Sequence, residues 1–496
     1  MSLMVILQGF IDAFAPITFL MMILGIIGGI IIGAIPGMTG SMGIILLLPL
    51  VYQLDKIPAM VVMAGMFCGS MCGGSISSIL LRVPGTPSAA ATVLDGYPMA
   101  QKGEAGKALF TAILASAIGG FLSGICLLLI APQLARVALN FQAPEFFALS
   151  IFGLTLMAGA SGRSIVKGLM SGFTGLFLST VGTDIISGSL RYTFGVVKLM
   201  AGFNILPILV GIFALAQVFS DLSNKTPQIR QGSSGLGSMF LSRDELKRII
   251  MPIVVGSFIG ILLGIIPGVG GSISCFLSYE LARRFSKRKE LFGTGIAEGI
   301  AAPEASNNGT TGTCFVPMLT LGIPGDTITA VILGAFMLIG IRPGPLLFVE
   351  NAHAVNTFFM AFIVMQFFML FFGVVGAKIW PKLLDLPRYI IMPIVMLFCF
   401  LGAYTLSNNT GDAMIALVFG IVGFFMQRYD FPGAPMILGL ILGPMAEQNL
   451  NRALLISHNS WTVFLTRPIS CVFIIGTVLS ILYTVYSYNR KKEKIN

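Results

Sequence analysis

Residues 25–41 read GIIGGIIIGAIPGMTGS, and residues 256–272 read GSFIGILLGIIPGVGGS. Setting Gly256 on Gly25, an offset of 231 residues, aligns the two without a gap. Gly25, Gly29, Ile30, Gly33, Pro36, Gly37, Gly40 and Ser41 then coincide with Gly256, Gly260, Ile261, Gly264, Pro267, Gly268, Gly271 and Ser272. Composition alone gives roughly one or two such matches, so this is internal repetition. Further along, RVPGTPSAAAT (82–92) has a looser counterpart in GIPGDTITAV (322–331), at an offset of 240. Each half carries a G-x-x-x-G-x-x-x-G helix, a P-G-x-x-G-S break and a second P-G break. The chain is duplicated.

Composition sets the solvent in which these copies fold. Of 496 residues, 56% are hydrophobic and 10% charged, and the mean hydropathy is +0.93. A soluble domain is ~25% charged, and no packing hides this much apolar surface from water. The figures specify a polytopic membrane protein and exclude a nucleic-acid binder, a disordered chain and a secreted disulfide scaffold. The net charge of +10 reads as Lys and Arg kept in cytoplasmic loops. The 59 Gly and 25 Pro weaken helices in water. In lipid they allow close helix contact and breaks that line a cavity. The ladders Gly25/Gly29/Gly33, Gly65/Gly69/Gly73 and Gly256/Gly260/Gly264 therefore read as packing faces.

The seven cysteines lie mostly in apolar stretches without a C-x-x-C pair, which makes them packing residues. Two histidines, His353 and His458, are too few for histidine-rich metal or haem chemistry. The first Lys or Arg is Lys56, so the charged region of a cleavable signal is missing.

Stretches of ~20 apolar residues span a bilayer core of ~30 Å. Counted this way, the chain is all-α, with about eleven or twelve transmembrane helices plus re-entrant or broken helices. A polar linker, 222–248, divides a first membrane repeat, 1–221, from a second, 249–489, and a basic tail occupies 490–496. After the second repeat's first break comes LARRFSKRKE (281–290), rich in basic residues, whereas the matching YQLDKIP (52–58) has only Asp55 and Lys56. The positive-inside rule places these loops on opposite faces, so the repeats are expected to be inverted.

The breaks carry the chemistry. Proline removes an N–H and disfavours helix in the residue before it, so Ile35 and Ile266 are expected to end their helices. Glycine then permits left-handed backbone, and Ser41 and Ser272 stand where a new helix takes an N-cap. A fresh helix N-terminus inside the membrane carries roughly half a positive charge and binds anions, while freed carbonyls suit Na⁺. The plainer alternative is a tight hairpin between packed helices. Two copies at equivalent positions favour the functional reading.

A second cluster is APEASNNGTTGT (302–313), where Asn307–Asn308 is expected to head a Gly/Thr-rich turn. Glu298 and Glu304 lie in the same apolar region, and an intramembrane carboxylate is costly. Glu304, Asn307 and Asn308 offer hard oxygen ligands for Na⁺ or a proton relay. Asp326 is explained by N-capping the helix after its break, and Asn408, Asn409 and Asp412 by an interhelical turn. Arg82, directly before V-P-G, either attracts an anion or marks a cytoplasmic end. GEAGKA (103–108) is no phosphate loop, because Gln101 and Ala108 replace its Gly and its hydroxyl residue.

Taken together, GAIPGMTGSMGIILLLPL, GSMCGGSISSILLRVPGTPSAAATVLDGYPMAQKGEAGKAL, IPGVGGSISCFLSYELARRFSK and APEASNNGTTGTCFVPMLTLGIPGD resemble the large membrane subunit of the bacterial tripartite tricarboxylate transporters, the TctA family. The resemblance implies a secondary transporter, not an enzyme, in the bacterial cytoplasmic (inner) membrane. It would import a di- or tricarboxylate on a sodium or proton gradient by alternating access, without a cofactor. Its implied partners are a small four-helix membrane subunit and a periplasmic solute-binding protein. The resemblance places substrate at Pro36, Gly37, Thr39, Gly40, Ser41, Pro267, Gly268, Gly270, Gly271 and Ser272. Asn307 and Asn308 match the family's double-Asn motif and join the expected substrate contacts. Gly270 stands where the first copy has Thr39, so the two breaks differ chemically. A passive carboxylate channel stays open as an alternative class.

Overall fold

A computed structural model describes residues 3–159, 164–184, 188–223, 236–268, 270–377, 379, 388–405 and 409–493. Part of the polar linker (224–235) and of the basic tail (494–496) falls outside them, as does Asn408. The chain forms two compact units, each taking segments from both halves. One comprises Met1–Ala135 and Gln217–Thr410, the other Arg136–Ala216 and Gly411–Asn496.

The first unit is built on two matched sets of three helices. In the first set a ladder helix, Pro16–Ala34, leads through the break to a tip helix, Gly40–Val51, and then to a spine helix, Lys56–Leu81. In the second, the ladder is Arg243–Gly264, the tip Gly270–Phe285 and the spine Ala297–Leu321. The glycines bring each ladder onto its own spine, backbone to backbone. Gly25, Gly29 and Gly33 lie against the carbonyls of Val62, Met66 and Ser70. A Cβ at Gly29 would stand 2.6 Å from the Met66 oxygen and 2.9 Å from Gly69 Cα. Gly256, Gly260 and Gly264 meet Ala302, Ser306 and Thr310 in the same way. Residue numbers rise together along both pairs, so each ladder runs parallel to its spine. The three spine positions are themselves related by the offset of 240 that relates the second breaks. The sequence duplication is thus a duplication of packing.

Both spines are buried almost throughout. They meet each other at Phe67 and Phe315, whose rings stand edge to face at 5.9 Å. The helix Ala105–Ala138 reaches the second spine through Gly119, which lies against the Ala305 carbonyl. A capping box of Ser242 and Glu245 starts the second ladder.

The second unit contains the helices Ala143–Gly159, Ile165–Ser179, Gly433–Ile456 and Pro468–Glu493, with a two-residue hairpin pairing Gly182–Thr183 and Leu190–Arg191. Gly175 and Gly439 draw two of these helices into backbone contact. Arg191 holds Glu447 through two hydrogen bonds, 2.6 and 3.2 Å, and Arg467 Nε donates to Glu145 Oε1 at 2.5 Å.

Among the described residues, seven helices are long and apolar enough to cross a membrane. Shorter apolar helices, the first tip among them, accompany these seven. Leu7, Phe173, Val472 and Leu479 lie exposed, as lipid-facing side chains do. The protein is an all-α multi-pass membrane protein.

Candidate functional site

At the first break, Ile35 ends the ladder in extended backbone, and Gly37 turns the chain at φ +90°. Thr39 follows in extended backbone, and its Oγ1 accepts from Met42 N at 3.3 Å. The N-cap is therefore Thr39 and not the expected Ser41, and the expected Ser272 likewise lies inside its helix, which begins at Gly270. The helix already begins at Gly40, and a capping oxygen reaches only the N–H two or three residues on. Ser41 lies buried in the first turn, with Pro36 and Gly40 also buried and Gly37 half-buried.

The second break repeats the turn with different chemistry. Gly268 adopts φ +80°, and its N–H donates to the Gly325 carbonyl at 2.8 Å. Gly270, the counterpart of Thr39, has φ +64° where Thr39 has −108°. A Cβ at Gly270 would meet nothing within 4 Å. Pro267, Gly268, Gly270 and Ser272 are half-buried, and Gly271 is buried.

Each tip packs on the second break of the other copy. A Cβ at Gly40 would stand 2.7 Å from Ile328, which follows GIPGD, and one at Gly271 would stand 3.2 Å from Ser88, which follows RVPG. Ser88 and Ile328 are related by the offset of 240, so the crossing is symmetric. The segments 82–92 and 322–331, which carry the second breaks, form a first and a second arm; the first presents Thr86 and Ser88, whose hydroxyls lie 3.1 Å apart. On the second arm, Asp326 and Thr329 form a capping box for the helix Thr327–Leu338, as N-capping requires.

Glu304, Asn307 and Asn308 lie inside the second spine helix, which corrects the turn expected at Asn307–Asn308. Asn, Gly and Thr are poor helix formers. With no water to satisfy the backbone in the interior, helix still wins. The threonine hydroxyls bond back along it: Thr310 and Thr311 donate to the carbonyls of Asn307 and Asn308, each at 2.7 Å. The spacing i, i+3, i+4 sets Glu304, Asn307 and Asn308 on one face, all with 0% exposure.

Three elements meet at Glu304. Thr92, on the first arm, donates to Oε1 at 2.5 Å, and Ser116, on the helix Ala105–Ala138, donates to Oε2 at 3.0 Å. Among the described residues no Lys, Arg or His pairs with this carboxylate. Asn307 Nδ2 donates to the Met71 carbonyl at 3.0 Å, tying the two spines together. Asn307 Oδ1 and both polar atoms of the Asn308 side chain have no partner. Glu298 stands apart from this group, paired with Arg288 at 2.8 Å. Arg82, in left-handed backbone, lies over the Tyr97 ring, 5.7 Å from its centre.

Thr92, Ser88 and Ser116 escape sequence reasoning because isolated hydroxyls in small-residue runs carry no signal. Asp95 escapes it too, as a lone acid with no motif around it. Its buried carboxylate accepts the N–H groups of Gly293, Gly295 and Ile296 and the Tyr279 hydroxyl, binding the chain just ahead of the second spine. Among the described residues no group of three or more His, Cys, Asp or Glu converges to hold a metal ion.

The sequence matches the family model "Tripartite tricarboxylate transporter TctA family" over residues 19–438. It is 35% identical over 488 residues to the "Uncharacterized 52.8 kDa protein in TAR-I ttuC' 3'region" of Agrobacterium vitis, covering 98% of this chain and 97% of that protein. It is also 35% identical over 237 residues to the "Uncharacterized protein in TAR-II ttuC' 3'region" of the same organism, covering 48% of this chain and 98% of that one. No solved structure matches. Matched helix breaks, a buried polar spine and similarity along nearly the whole length agree: the chain belongs to the tripartite tricarboxylate transporter TctA family.

Proposed function

We propose that this protein is the large membrane subunit of a cation-coupled secondary transporter in the bacterial cytoplasmic membrane. It imports a di- or tricarboxylate by alternating access, working with a small four-helix membrane subunit and a periplasmic solute-binding protein that delivers the substrate. The observation that carries this reading is the symmetric crossing, in which each tip abuts the other copy's second break. A helix N-terminus presents roughly half a positive charge and free N–H donors. Two such termini hold a carboxylate without placing Arg or Lys in the membrane core.

In this reading Pro36, Gly37, Thr39, Gly40 and Ser41 line one side of the substrate site. Pro267, Gly268, Gly270, Gly271 and Ser272 line the other. The halves 1–221 and 249–489 act as inverted copies, which gives two related conformations open to opposite faces. Glu304, Asn307 and Asn308 contribute oxygen atoms beside the second tip, and the coupling ion is Na⁺ or H⁺.

The test is uptake of labelled di- and tricarboxylates into proteoliposomes holding both membrane subunits and the binding protein. Accumulation above the outside concentration, driven by an imposed sodium or pH gradient, supports the reading. Equilibration without accumulation makes the protein a passive carboxylate pore.

A further inference from the structure

The pseudo-symmetry of the two spines fails at one place. Stepping back 240 residues from Glu304, Ser306, Asn307 and Asn308 gives Ala64, Met66, Phe67 and Cys68. The first spine thus presents an apolar ring and a thiol where the second presents two amides one turn beyond a carboxylate. Phe67 is fully buried against Phe315, and Cys68 Sγ hydrogen-bonds the Thr311 and Gln366 side chains, so the first spine itself offers no amide or carboxylate oxygen at these positions.

At the second position the orientation of Asn307 is determined by its neighbour. A carbonyl oxygen only accepts hydrogen bonds, so the Asn307 amide turns Nδ2 toward Met71 O, 3.0 Å away, and Oδ1 the other way. That Oδ1 is buried, has no partner, and lies 3.4 Å from the place of a Cβ on Gly271 at the second tip. The Ser88 side chain of the first arm borders the same glycine. Asn308, also fully buried, leaves both its side-chain oxygen and nitrogen without a partner. Unmet polar atoms this deep are costly and call for a ligand.

We propose that the second copy alone holds a bound alkali cation, with Asn307 Oδ1 as a ligand beside the Gly271 tip and Glu304 as its counter-charge. The first copy has no equivalent site. Amide and hydroxyl oxygens are hard ligands, and the Glu304 carboxylate, with no Lys, Arg or His paired to it among the described residues, balances one positive charge. A divalent ion ordinarily gathers more acidic ligands, and no cluster of three acids converges among the described residues. The inference rests on the cation-coupled reading above and names its ion class and its location.

The experiment uses the purified full-length protein in detergent, without substrate, binding protein or membrane potential. Its melting temperature is followed as NaCl replaces choline chloride at constant ionic strength, with KCl as a second series. Wild type is expected to melt at rising temperature with Na⁺, saturably. Asn307→Ala is expected to raise the half-saturating Na⁺ concentration at least tenfold, and Phe67→Leu to leave it unchanged. Asn307→Asp, which keeps the shape and adds a charge, is expected to lower it and stands in if the alanine variant does not fold. Equal effects of Na⁺, K⁺ and choline on wild type overturn the proposal. So does an unchanged Na⁺ midpoint in either Asn307 variant, or loss of the response in Phe67→Leu. Absence of carboxylate uptake alongside an intact, Asn307-dependent sodium response refutes the transport reading and leaves the site standing.

Discussion

Gly28 and Gly29 are adjacent in the first ladder helix, yet the structure assigns them opposite responses to the same substitution. A Cβ at Gly29 would stand 2.6 Å from the Met66 carbonyl oxygen and 2.9 Å from both Gly69 Cα and Ser70 N. All three are backbone atoms of a buried helix, so no rotamer change relieves the overlap. Restoring ordinary contact requires the ladder and spine to part by about 0.8 Å. Overpacking of this kind costs ~1–3 kcal/mol, and a clash with rigid backbone belongs at the upper end. Alanine returns ~1 kcal/mol through helix propensity, which leaves a net loss of about 2 kcal/mol. At Gly28 the added methyl meets only the Met66 Cε, at 3.1 Å, the far end of a flexible side chain. Gly28→Ala is therefore expected to be neutral or to stabilise by up to ~1 kcal/mol. Packing is duplicated, so Gly260→Ala, against Ser306, should cost about as much as Gly29→Ala. Thermal unfolding of the four proteins in one detergent checks all three values. Equal melting temperatures for Gly28→Ala and Gly29→Ala would refute the close approach of ladder and spine.

Thr39→Ala removes the acceptor for Met42 N–H and is expected to cost ~1 kcal/mol. Gly270→Ala, which has open space but φ +64°, is expected to cost ~1–2 kcal/mol through backbone strain alone; melting curves of the two variants check both. Asp95→Ala leaves three N–H groups and the Tyr279 hydroxyl without their buried acceptor, a loss of at least ~3 kcal/mol. Limited proteolysis should then cut faster around residues 286–296, and Asp95→Asn should cut at an intermediate rate. Thr92→Val removes one hydrogen bond to Glu304 without changing shape and is expected to cost ~1.5–3 kcal/mol, read from the same melting assay.

The features legible in the sequence are those that glycine and proline mark. Pro36–Gly37 and Pro267–Gly268 announce breaks because no uninterrupted helix accommodates them, and the ladders announce close packing because only glycine fits. The N-cap is displaced by two residues, since S-at-the-break is a composition signal and the cap is set by where Gly40 enters the helix. Asn307–Asn308 reads as a turn because propensity scales describe chains in water, whereas this segment is enclosed by other helices on every side. Thr92, Ser116 and Asp95 stay hidden for another reason. Their partners lie about 200 residues away, and a lone hydroxyl or carboxylate gives no hint of what the fold brings to it. The crossing of tips and second breaks is likewise a property of the packed molecule.

Whether the paired breaks form the carboxylate site is tested most directly at Ser41 and Ser272. Carboxylate uptake is measured in proteoliposomes with the small membrane subunit and the binding protein, for wild type, Ser41→Ala, Ser272→Ala and the double variant, at matched protein content and melting temperature. A hydrogen bond to a charged group contributes ~1.5–3 kcal/mol, so each single variant should lose roughly tenfold or more in apparent affinity. The double variant should lose more than either. Wild-type uptake and affinity in the double variant would contradict the account.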